Sequence, residues 1–407
     1  MAGPLTGIRV LDMTRVIAGP LAGQTLGDLG ADVIKVERKG EGDESRRVGP
    51  PWMPEHEGIE TPDSTYYQAV NRNKRSIAVD FATEAGADLV RRLADRCDVL
   101  LENYRPGTLD RYGLGANQLR QRNPGLIYCS LTGFGQTGPY SSRSGYDYLV
   151  QGMGGLMSVT GLADGEPGAG PIRVGIPVVD IFGGMNATIG ILAALRHRDA
   201  TGEGQNIDIA LYDSQLAAML NAASSWLNAG VHLGRTGNDH PSAVPYGIYE
   251  ASDGYVIIAT FNDREFVRLA EVLGRPDWKD DPRYKSMGAR VANRAAIKAE
   301  VAAIVIRQPR AHWVKLLNEA KISTGPINEM SDVAADPQTL ARDMVVTMEH
   351  PVIGPIRAMG SPLKLSASPP EYRMAPPLLG ENTNDILRSV LGADEAEIAA
   401  LAEAGAI

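Results

Sequence analysis

The chain has 407 residues, of which 43% are hydrophobic and 22% are charged, and its net charge is −9. This composition is typical of a globular protein, and the length predicts two domains. The acidic balance, without any run of five or more Lys or Arg residues, argues against nucleic-acid binding. Cys97 and Cys129 have neither metal-site nor redox spacing, so we expect a cytoplasmic protein. No uninterrupted apolar stretch approaches the ~20 residues of a membrane span, so no membrane partner is expected.

The first third of the sequence alternates between predicted strands and predicted helices. Pro20 at the start of a helical stretch and Gly30 just past its end are the usual punctuation of a helix. The alternation predicts right-handed crossovers and a parallel, doubly wound, Rossmann-like sheet. The turn at residues 15–20 lacks Gly-x-Gly-x-x-Gly, so a nicotinamide or flavin dinucleotide is disfavoured. The predicted strands are 8–12, 33–36, 76–80, 99–101 and 126–130, and the predicted helices are 20–30, 84–95 and a short one near Gln118.

The middle of the chain has a different pattern. A strand at 206–211 precedes a long helix at 213–229, and a hairpin is predicted at 247–260 around the turn Ser252-Asp253-Gly254. Helices follow at 264–273, 294–306 and 312–320, and a last one at 394–404. We therefore predict an α/β protein with a large Rossmann-like domain at 1–205, completed by about 345–407, and a smaller α+β domain at 225–330. Residues 206–224 and 331–344 are the expected linkers.

The sequence lacks the motifs that are typical of several familiar enzyme classes. The chain has no His-Glu-x-x-His, Cys-x-x-Cys, Walker A or Gly-x-Ser-x-Gly motif, and no metal is expected. A set of basic residues instead follows the predicted strands. Each of them alone is more often a solvated surface charge, but the carboxyl ends of parallel strands share one ligand-binding edge. The set is Arg15, Arg38, Lys39, Lys74, Arg75, Arg105 and Arg111.

Asp180 is the most informative acidic residue, because it stands just before the apolar run 185–195. The ordinary interpretation of such an Asp is a helix N-cap. The positive end of the helix dipole would also favour an ionised carboxylate there. An ionised carboxylate beside Gly183 and Gly184, where a bulky acyl group could approach, can act as a nucleophile. The residues alone leave both interpretations open.

Ordered motifs at residues 10–20, 27–37, 71–76, 102–107, 130–139, 145–147, 175–184 and 377–381 together resemble the family III CoA-transferases. That family includes formyl-CoA:oxalate and carnitine CoA-transferases and the α-methylacyl-CoA racemases. The pattern is most similar to that of succinyl-CoA:glutarate-type dicarboxylate CoA-transferases, chiefly through residues 71–76, 127–140 and 244–246. These motifs are spread over essentially the whole chain.

The resemblance implies that Asp180 is the catalytic nucleophile. It implies that coenzyme A or acyl-CoA binds as a substrate, with no permanently bound cofactor. It also implies an interlocked homodimer, in which each chain passes through a ring formed by the other. The implied CoA contacts are Val16, Ile17, Ala18, Arg38, Asn71, Arg72, Asn73, Lys74, Arg75, Asn103, Tyr104 and Arg111, with Thr132 and Gln136 near the thioester.

The implied reaction moves CoA from an acyl-CoA, expected to be succinyl-CoA, to a carboxylic acid, expected to be a dicarboxylate. It proceeds through a mixed aspartyl anhydride and an aspartyl-CoA thioester. A dicarboxylate needs a cation for its distal carboxylate, preferably an Arg fork. The candidates for this contact are Arg15, Arg46, Arg47, Arg72 and Arg143, and Tyr146 is a further substrate candidate.

Two departures bear on the branch of the family. The racemase branch has a Gly-His-Asp motif, whereas this chain has Tyr146 in place of the histidine. Racemisation needs an acid and a base on opposite faces of the α-carbon, and a Tyr with a pKa near ~10 is a poor substitute. A racemase or epimerase is therefore the alternative. Residues 238–244 replace the glycine run of the formyl-CoA:oxalate branch, which argues against a glycine lid and oxalate. A non-catalytic CoA-binding protein is a third possibility, against which the intact Asp180 argues.

Overall fold

The computed structural model describes residues 3–53 and 63–407. The chain forms two compact units. The first comprises the residues up to Gly155 together with Val174–Leu220 and Pro337–Ile407. The second comprises Leu156–Arg173 and Asn221–Asp336. The segment Leu156–Arg173, which lies just before Asp180 in sequence, thus groups with the second unit, although the sequence pattern placed it in the large domain.

The first unit is built on a six-stranded parallel sheet, which confirms the predicted α/β class. Its strand order is β3-β2-β1-β4-β5-β6. Because the order reverses between β1 and β4, a crevice is expected at the carboxyl ends of these two strands. The strands are β1 Arg9–Asp12, β2 Asp32–Arg38, β3 Lys74–Val79, β4 Val99–Glu102, β5 Ile127–Thr132 and β6 Asn206–Ala210.

The remaining strands are antiparallel. They are β7 Tyr246–Ala251, β8 Gly254–Ala259, β9 Ser323–Pro326, β10 Val345–His350 and β11 Gly354–Met359. The helices are α1 Ala18–Asp28, α2 Thr65–Gln68, α3 Glu84–Ala94, α4 Ala116–Arg122, α5 Asp147–Met153, α6 Leu156–Val159, α7 Val178–Thr201, α8 Leu211–Ala218, α9 Leu220–Ala229, α10 Asp263–Val272, α11 Met287–Ala292, α12 Arg294–Val305, α13 Arg310–Glu319, α14 Met330–Ala335, α15 Pro337–Ala341, α16 Thr383–Leu391 and α17 Glu395–Glu403. Short 3-10 turns occur at Glu44–Arg47, Leu109–Tyr112 and Pro276–Lys279.

The parallel sheet is covered on both faces. Leu11, Ile34 and Leu100 pack on the side of α3, α16 and α17. Val10 and Leu101, on the opposite face, pack with α1 and α7. Strands that are buried on both faces consist of nearly continuous apolar runs, and this explains why they were visible in the sequence.

Helix α7 spans Val178–Thr201 and is much longer than the apolar run 185–195 that indicated it in the sequence. By length and composition it could cross a membrane, and within residues 3–53 and 63–407 it alone passes that test. The core helix of a folded domain passes the same test. One side of α7 is indeed buried in the core at Val179, Ala187 and Ile191, against α1 and the sheet.

Two regions differ from the prediction. The single helix expected at 213–229 is divided into α8 and α9, because Leu220 adopts a left-handed φ of 35°. The C-terminal part contains the hairpin β10–β11 and helix α16, neither of which the sequence pattern predicted. The hairpin expected at 247–260 is confirmed as β7–β8, and it packs in the second unit around Phe266 and Trp278.

Candidate active site

The loops that follow β1 and β4 meet where the strand order reverses. Asn103 accepts a hydrogen bond from the backbone N–H of Arg15 (3.0 Å) and donates one from Nδ2 to the Arg15 carbonyl (2.8 Å). The Arg15 guanidinium lies over the ring of Tyr104, with Cζ 4.5 Å from the ring centroid, and pairs with Glu44 at 2.6 Å. Three predicted site residues, Arg15, Asn103 and Tyr104, are thus neighbours at the crevice.

A cavity of about 390 Å³ lies beside this contact. Arg38, the last residue of β2, lines it, and its side chain is 70% exposed and pairs with Glu41 at 3.0 Å. Guanidinium groups and aromatic rings suit a phosphorylated ligand that carries an aromatic base, although the carboxylates of Glu41, Glu44 and Asp80 also line the cavity. Further lining residues are Arg15, Phe81, Tyr104, Thr108 and Tyr112.

The predicted contact residues Val16, Ile17 and Ala18 lead into α1. Val16 has a φ of 71°, which is unusual for a β-branched residue. Helix α1 begins at Ala18, and no side chain caps it at Ile17. A Cβ added to Gly184 would lie 2.6 Å from the Ala18 carbonyl oxygen, so α7 approaches the start of α1 closely at this glycine. The two helix entrances therefore lie side by side.

Asp180 lies in the first turn of α7 and is not its N-cap, so that interpretation is wrong. The helix begins at Val178, with Pro177 at the cap position. Asp147 supplies the capping bond, accepting from the backbone N–H of Val179 at 2.7 Å. In the described parts of the chain, no hydrogen bond engages the Asp180 carboxyl group. The carboxyl group is therefore not occupied in capping.

The environment of Asp180 changes its ionisation. Burial raises the pKa of Asp180 to about 7, and the negative charge of Asp147 acts in the same direction. The expected stabilisation by the helix dipole is thus outweighed, and the group is close to half-protonated at neutral pH. A carboxyl group with so perturbed a pKa is a candidate for a functional role.

Tyr66, on α2, was not singled out in the sequence. Its pKa is raised by burial and then by the charges of Asp180, Asp147 and Asp43, so it lies within electrostatic range of all three carboxylates. Its neighbour Tyr67 is fully buried beneath the guanidinium of Arg46. Tyr66 and Tyr67 are adjacent on one short helix, and the sequence does not indicate which of the two is buried in the core and which lies near the site.

The predicted contacts at residues 71–75 have partners inside the chain. Lys74 pairs with Asp12 at 2.8 Å, and burial lowers the pKa of Lys74 to about 8. Lys74 and Arg75 begin β3, so the interpretation that they follow a strand is wrong. The assignment of these five residues to CoA stays a prediction. The other side-chain bonds run from Asn71 to the Tyr67 carbonyl, from Arg72 and Asn73 to Asp28, and from Arg75 to Asp32.

The predicted thioester contacts lie at the end of β5, where Thr132 is the last strand residue, and in the turn that follows it. Thr132 Oγ1 accepts from the Gly135 N–H at 2.9 Å, and the Gln136 N–H donates to Asp208 at 2.9 Å. Gln136 lines a separate polar cavity of about 290 Å³ that also contains Glu102. Burial raises the pKa of Glu102 to about 7.

The remaining predicted residues are largely at the surface. Arg111 is exposed in the turn Leu109–Tyr112, Arg47 is exposed, and Tyr146 is 72% exposed just before α5. Of the acceptor candidates, Arg46 and Arg72 are buried in ion pairs with carboxylates. This leaves Arg15, Arg47 and Arg143 as accessible cations. Within residues 3–53 and 63–407, no group of three His, Cys, Asp or Glu side chains could hold a metal ion.

Comparisons with known proteins define the class of enzyme. The profile of "CoA-transferase family III" matches residues 5–383, and the chain belongs to that family. It is therefore a CoA-transferase by class. The fold agrees: a solved CAIB/BAIF family protein from Brucella suis superposes with a TM-score of 0.86 at 42% identity, covering 96% of this chain and 100% of that one.

Two similar curated relatives act on dicarboxylates according to their names. The succinate–glutarate CoA-transferase of Agrobacterium fabrum is 43% identical over 384 residues, which cover 94% of this chain and 95% of the relative. The succinyl-CoA:glutarate CoA-transferase of Homo sapiens is 40% identical over 404 residues, which cover 99% of this chain and 90% of the relative.

Proposed function

We propose that the enzyme transfers CoA from succinyl-CoA to a short dicarboxylic acid, with Asp180 as its nucleophile. The observation that carries this proposal is the half-buried Asp180 carboxyl group at the entrance of α7, free of capping bonds and next to the uncapped start of α1. The names of the relatives from Agrobacterium fabrum and Homo sapiens support the acid pair. A 38% identical relative from Haloarcula hispanica is a succinyl-CoA:mesaconate CoA-transferase, which also uses a dicarboxylate.

In the proposed reaction, the Asp180 carboxylate attacks the thioester carbonyl, and the C–S bond breaks to give a mixed anhydride and CoA thiolate. The thiolate then attacks the Asp180 carbonyl, which releases the first acid and leaves an aspartyl-CoA thioester. The incoming acid reverses both steps. Coenzyme A is a substrate in this scheme, and no permanently bound cofactor takes part. Backbone N–H groups at the start of α1 are suited to stabilise the developing oxyanion.

The CoA nucleotide is proposed to occupy the cavity of about 390 Å³, with its phosphates near Arg15 and Arg38 and its base against Tyr104. Arg38→Ala should weaken CoA binding, measured by calorimetry, by about tenfold if one charge-assisted phosphate contact is lost. Unchanged affinity would place the nucleotide elsewhere.

The covalent intermediate can be trapped directly. Enzyme incubated with succinyl-CoA and then with hydroxylamine or borohydride should carry a modification on the peptide that contains Asp180, found by mass spectrometry. Asp180→Ala should carry none, whereas Asp199→Asn, an exposed change near the other end of α7, should be labelled like the unmodified enzyme. A label on any other residue would reassign the nucleophile.

The acid specificity is tested by a panel of carboxylic acids with succinyl-CoA. We expect new thioesters of short dicarboxylates to form faster than those of monoacids. Arg15, Arg47 and Arg143, changed one at a time to Gln, should show which cation binds the distal carboxylate by raising the KM of dicarboxylates alone. Exchange of the α-proton with deuterium in the absence of an acceptor acid would instead support the racemase alternative.

We also propose a cytoplasmic homodimer with interlocked chains. An apolar groove of about 770 Å³ on the first unit supports an assembly, because it is lined by Met185 (54% exposed) and Ile189 (61% exposed) of α7. Gln68, a buried residue at this groove, has no hydrogen-bond partner for its side-chain amide within the described residues. The two buried free cysteines are compatible with a reducing compartment.

Subunit exchange tests this assembly. Two differently labelled preparations of an interlocked dimer should not exchange chains unless the protein unfolds. Met185→Glu should disturb the assembly, as seen by sedimentation. Rapid exchange under native conditions would exclude interlocking, and a monomer at micromolar concentration would exclude the dimer.

A further inference from the structure

Asp43 is a buried carboxylate that joins two loops of the candidate site. It is 1% exposed and follows β2, between Arg38 and the turn Glu44–Arg47. Its Oδ1 accepts from the backbone N–H of Val16 (3.1 Å) and from both the N–H (2.9 Å) and the hydroxyl (2.8 Å) of Ser45. Its Oδ2 accepts from Lys35 Nζ at 2.8 Å. One side chain thus connects the β1–α1 loop to the segment after β2.

Lys35 fixes the orientation of Asp43. Its ammonium group is fully buried and donates both to Asp43 and to the Thr14 carbonyl (2.9 Å). A buried charge is costly unless it is paired and hydrogen-bonded, so neither Lys35 nor Asp43 can turn away without leaving the other unpaired. Asp12 continues the same network, because it accepts from the Thr14 N–H (2.9 Å) and pairs with Lys74.

The β1–α1 loop is consequently fixed over consecutive residues by side chains. Thr14 is bonded by Asp12 and Lys35, Arg15 is bonded by Asn103 at both its N–H and its carbonyl, and Val16 is bonded by Asp43. Val16 needs such support, because its left-handed φ of 71° is disfavoured for a β-branched residue. The next residues, Ile17 and Ala18, open α1 without a side-chain cap.

We propose that Asp43 is a positioning residue for acyl-CoA: it fixes Val16 in its left-handed conformation and thereby sets Arg15 and the start of α1. Asp43 is among the residues that line the cavity, but both of its carboxylate oxygens are engaged by Val16, Ser45 and Lys35. This inference rests on the proposed CoA site in the cavity beside Arg15 and Arg38. A general loss of stability would affect all substrates, whereas a displaced β1–α1 loop should affect the acyl-CoA selectively.

The test is a comparison of KM values. Asp43→Ala removes the acceptor of the Val16 N–H and the charged partner of Lys35, and it should raise the KM of succinyl-CoA by about tenfold or more, as expected for a misplaced binding segment. The KM of a monocarboxylic acceptor acid, which has no distal carboxylate for Arg15 to bind, should change by less than about twofold. Asp43→Asn retains an oxygen for the Val16 N–H and should have an intermediate effect. If the alanine variant does not fold, the asparagine variant decides.

Asp63→Asn is the matched control. Asp63 is also a buried carboxylate of the first unit, and it pairs with Arg46 at 2.9 Å. Both Asp63→Asn and Asp43→Asn should lower the thermal midpoint, but Asp63→Asn should leave the KM of succinyl-CoA unchanged. Equal KM effects in the two variants, or none in Asp43→Asn, would overturn the positioning role. If Arg38→Ala also left CoA affinity unchanged, the proposed position of the CoA site would be wrong. If Arg38→Ala weakened CoA binding as expected, only the positioning role of Asp43 would be excluded.

Discussion

The entrances of α1 and α7 lie side by side but are built in opposite ways. The loop into α1 is bonded at Thr14, Arg15 and Val16 by side chains that lie in β1 and β2 or just after β2 and β4. At the entrance of α7, the Val179 N–H donates a capping bond to Asp147, and the carboxyl group of Asp180 has no hydrogen bond within the described residues. Several side chains thus fix the entrance of α1, whereas the Asp180 carboxyl group at the entrance of α7 has no hydrogen bond within the described residues.

The difference separates two tasks. A binding segment loses affinity when it moves, so rigid placement by buried polar bonds is useful there. A nucleophile must form and break bonds in each cycle, so strong hydrogen bonds to its ground state would lower its reactivity. The raised pKa of Asp180, caused first by burial and then by Asp147, agrees with a group that is desolvated and weakly bonded.

The largest expected effect comes from the unengaged carboxyl group. Asp180→Asn keeps the shape of the side chain but removes the nucleophilic oxygen anion, so kcat should fall by at least about a thousandfold. CoA affinity, measured by calorimetry, should remain within about twofold, because the α1 entrance is untouched. Asp199→Asn, with the same chemical change at the exposed end of α7, should behave like the unmodified enzyme. Turnover within tenfold of normal would exclude Asp180 as the nucleophile.

The pH profile sharpens the same contrast. Only the deprotonated form of Asp180 attacks, so kcat/KM should fall about tenfold per pH unit below the pKa of about 7 and level off above it. Asp147→Asn removes the negative charge that raises this pKa, and the acid limb should therefore move to lower pH. The Asn oxygen can still accept from the Val179 N–H, which preserves the helix start. A limb that stays in place or moves to higher pH would contradict this electrostatic account.

A smaller effect is expected at the rigid entrance. Asn103→Ala removes both hydrogen bonds to the Arg15 backbone, which should lower the free energy of unfolding by about 1–3 kcal/mol and raise the KM of succinyl-CoA severalfold. Asn103→Asp keeps the acceptor for the Arg15 N–H and loses only the donor. Its KM for succinyl-CoA should therefore lie between those of the unmodified enzyme and Asn103→Ala. Denaturant unfolding and initial-rate kinetics measure both quantities. Lost stability with an unchanged KM would show that Asn103 acts on the fold alone.

Much of the first unit was predictable because its signals are local. The strands of the parallel sheet are short apolar runs, and the turns that punctuate them carry Gly and Pro. The sequence signals that placed Asp180 near the start of a helix are equally local, although the N-cap position that they indicate is wrong. Leu220 shows the limit: nothing in the run 213–229 marks the residue at which one predicted helix becomes α8 and α9.

The polar network was not predictable, because its partners are distant in sequence. Asp43 follows two glycines and would be taken as a turn residue capping the next segment, which it also is. Its bond to Val16 and its ion pair with Lys35 depend on the register of β1 and β2. Likewise, Lys74 and Arg75 could be placed near a strand, but only the pairing of β3 shows that they begin it.

The smallest expected effect lies at the rim of the cavity, where Arg38 and Glu41 form an exposed ion pair. Such a pair adds little stability, so Glu41→Gln should change the free energy of unfolding by less than about 0.5 kcal/mol. It should nevertheless lower the KM of succinyl-CoA by about twofold, because Arg38 is released for the phosphates and one negative charge is removed from their approach. Added salt should weaken this gain. Glu395, the first residue of α17, forms an exposed pair with Arg388 of α16, and Glu395→Gln makes the same charge change there and should leave the KM unchanged. If both variants lowered the KM of succinyl-CoA equally, the effect would come from net charge, and the proposed contact of Arg38 with the phosphates would lose its support. If only Glu41→Gln lowered this KM, the result would support Arg38 as part of the CoA site.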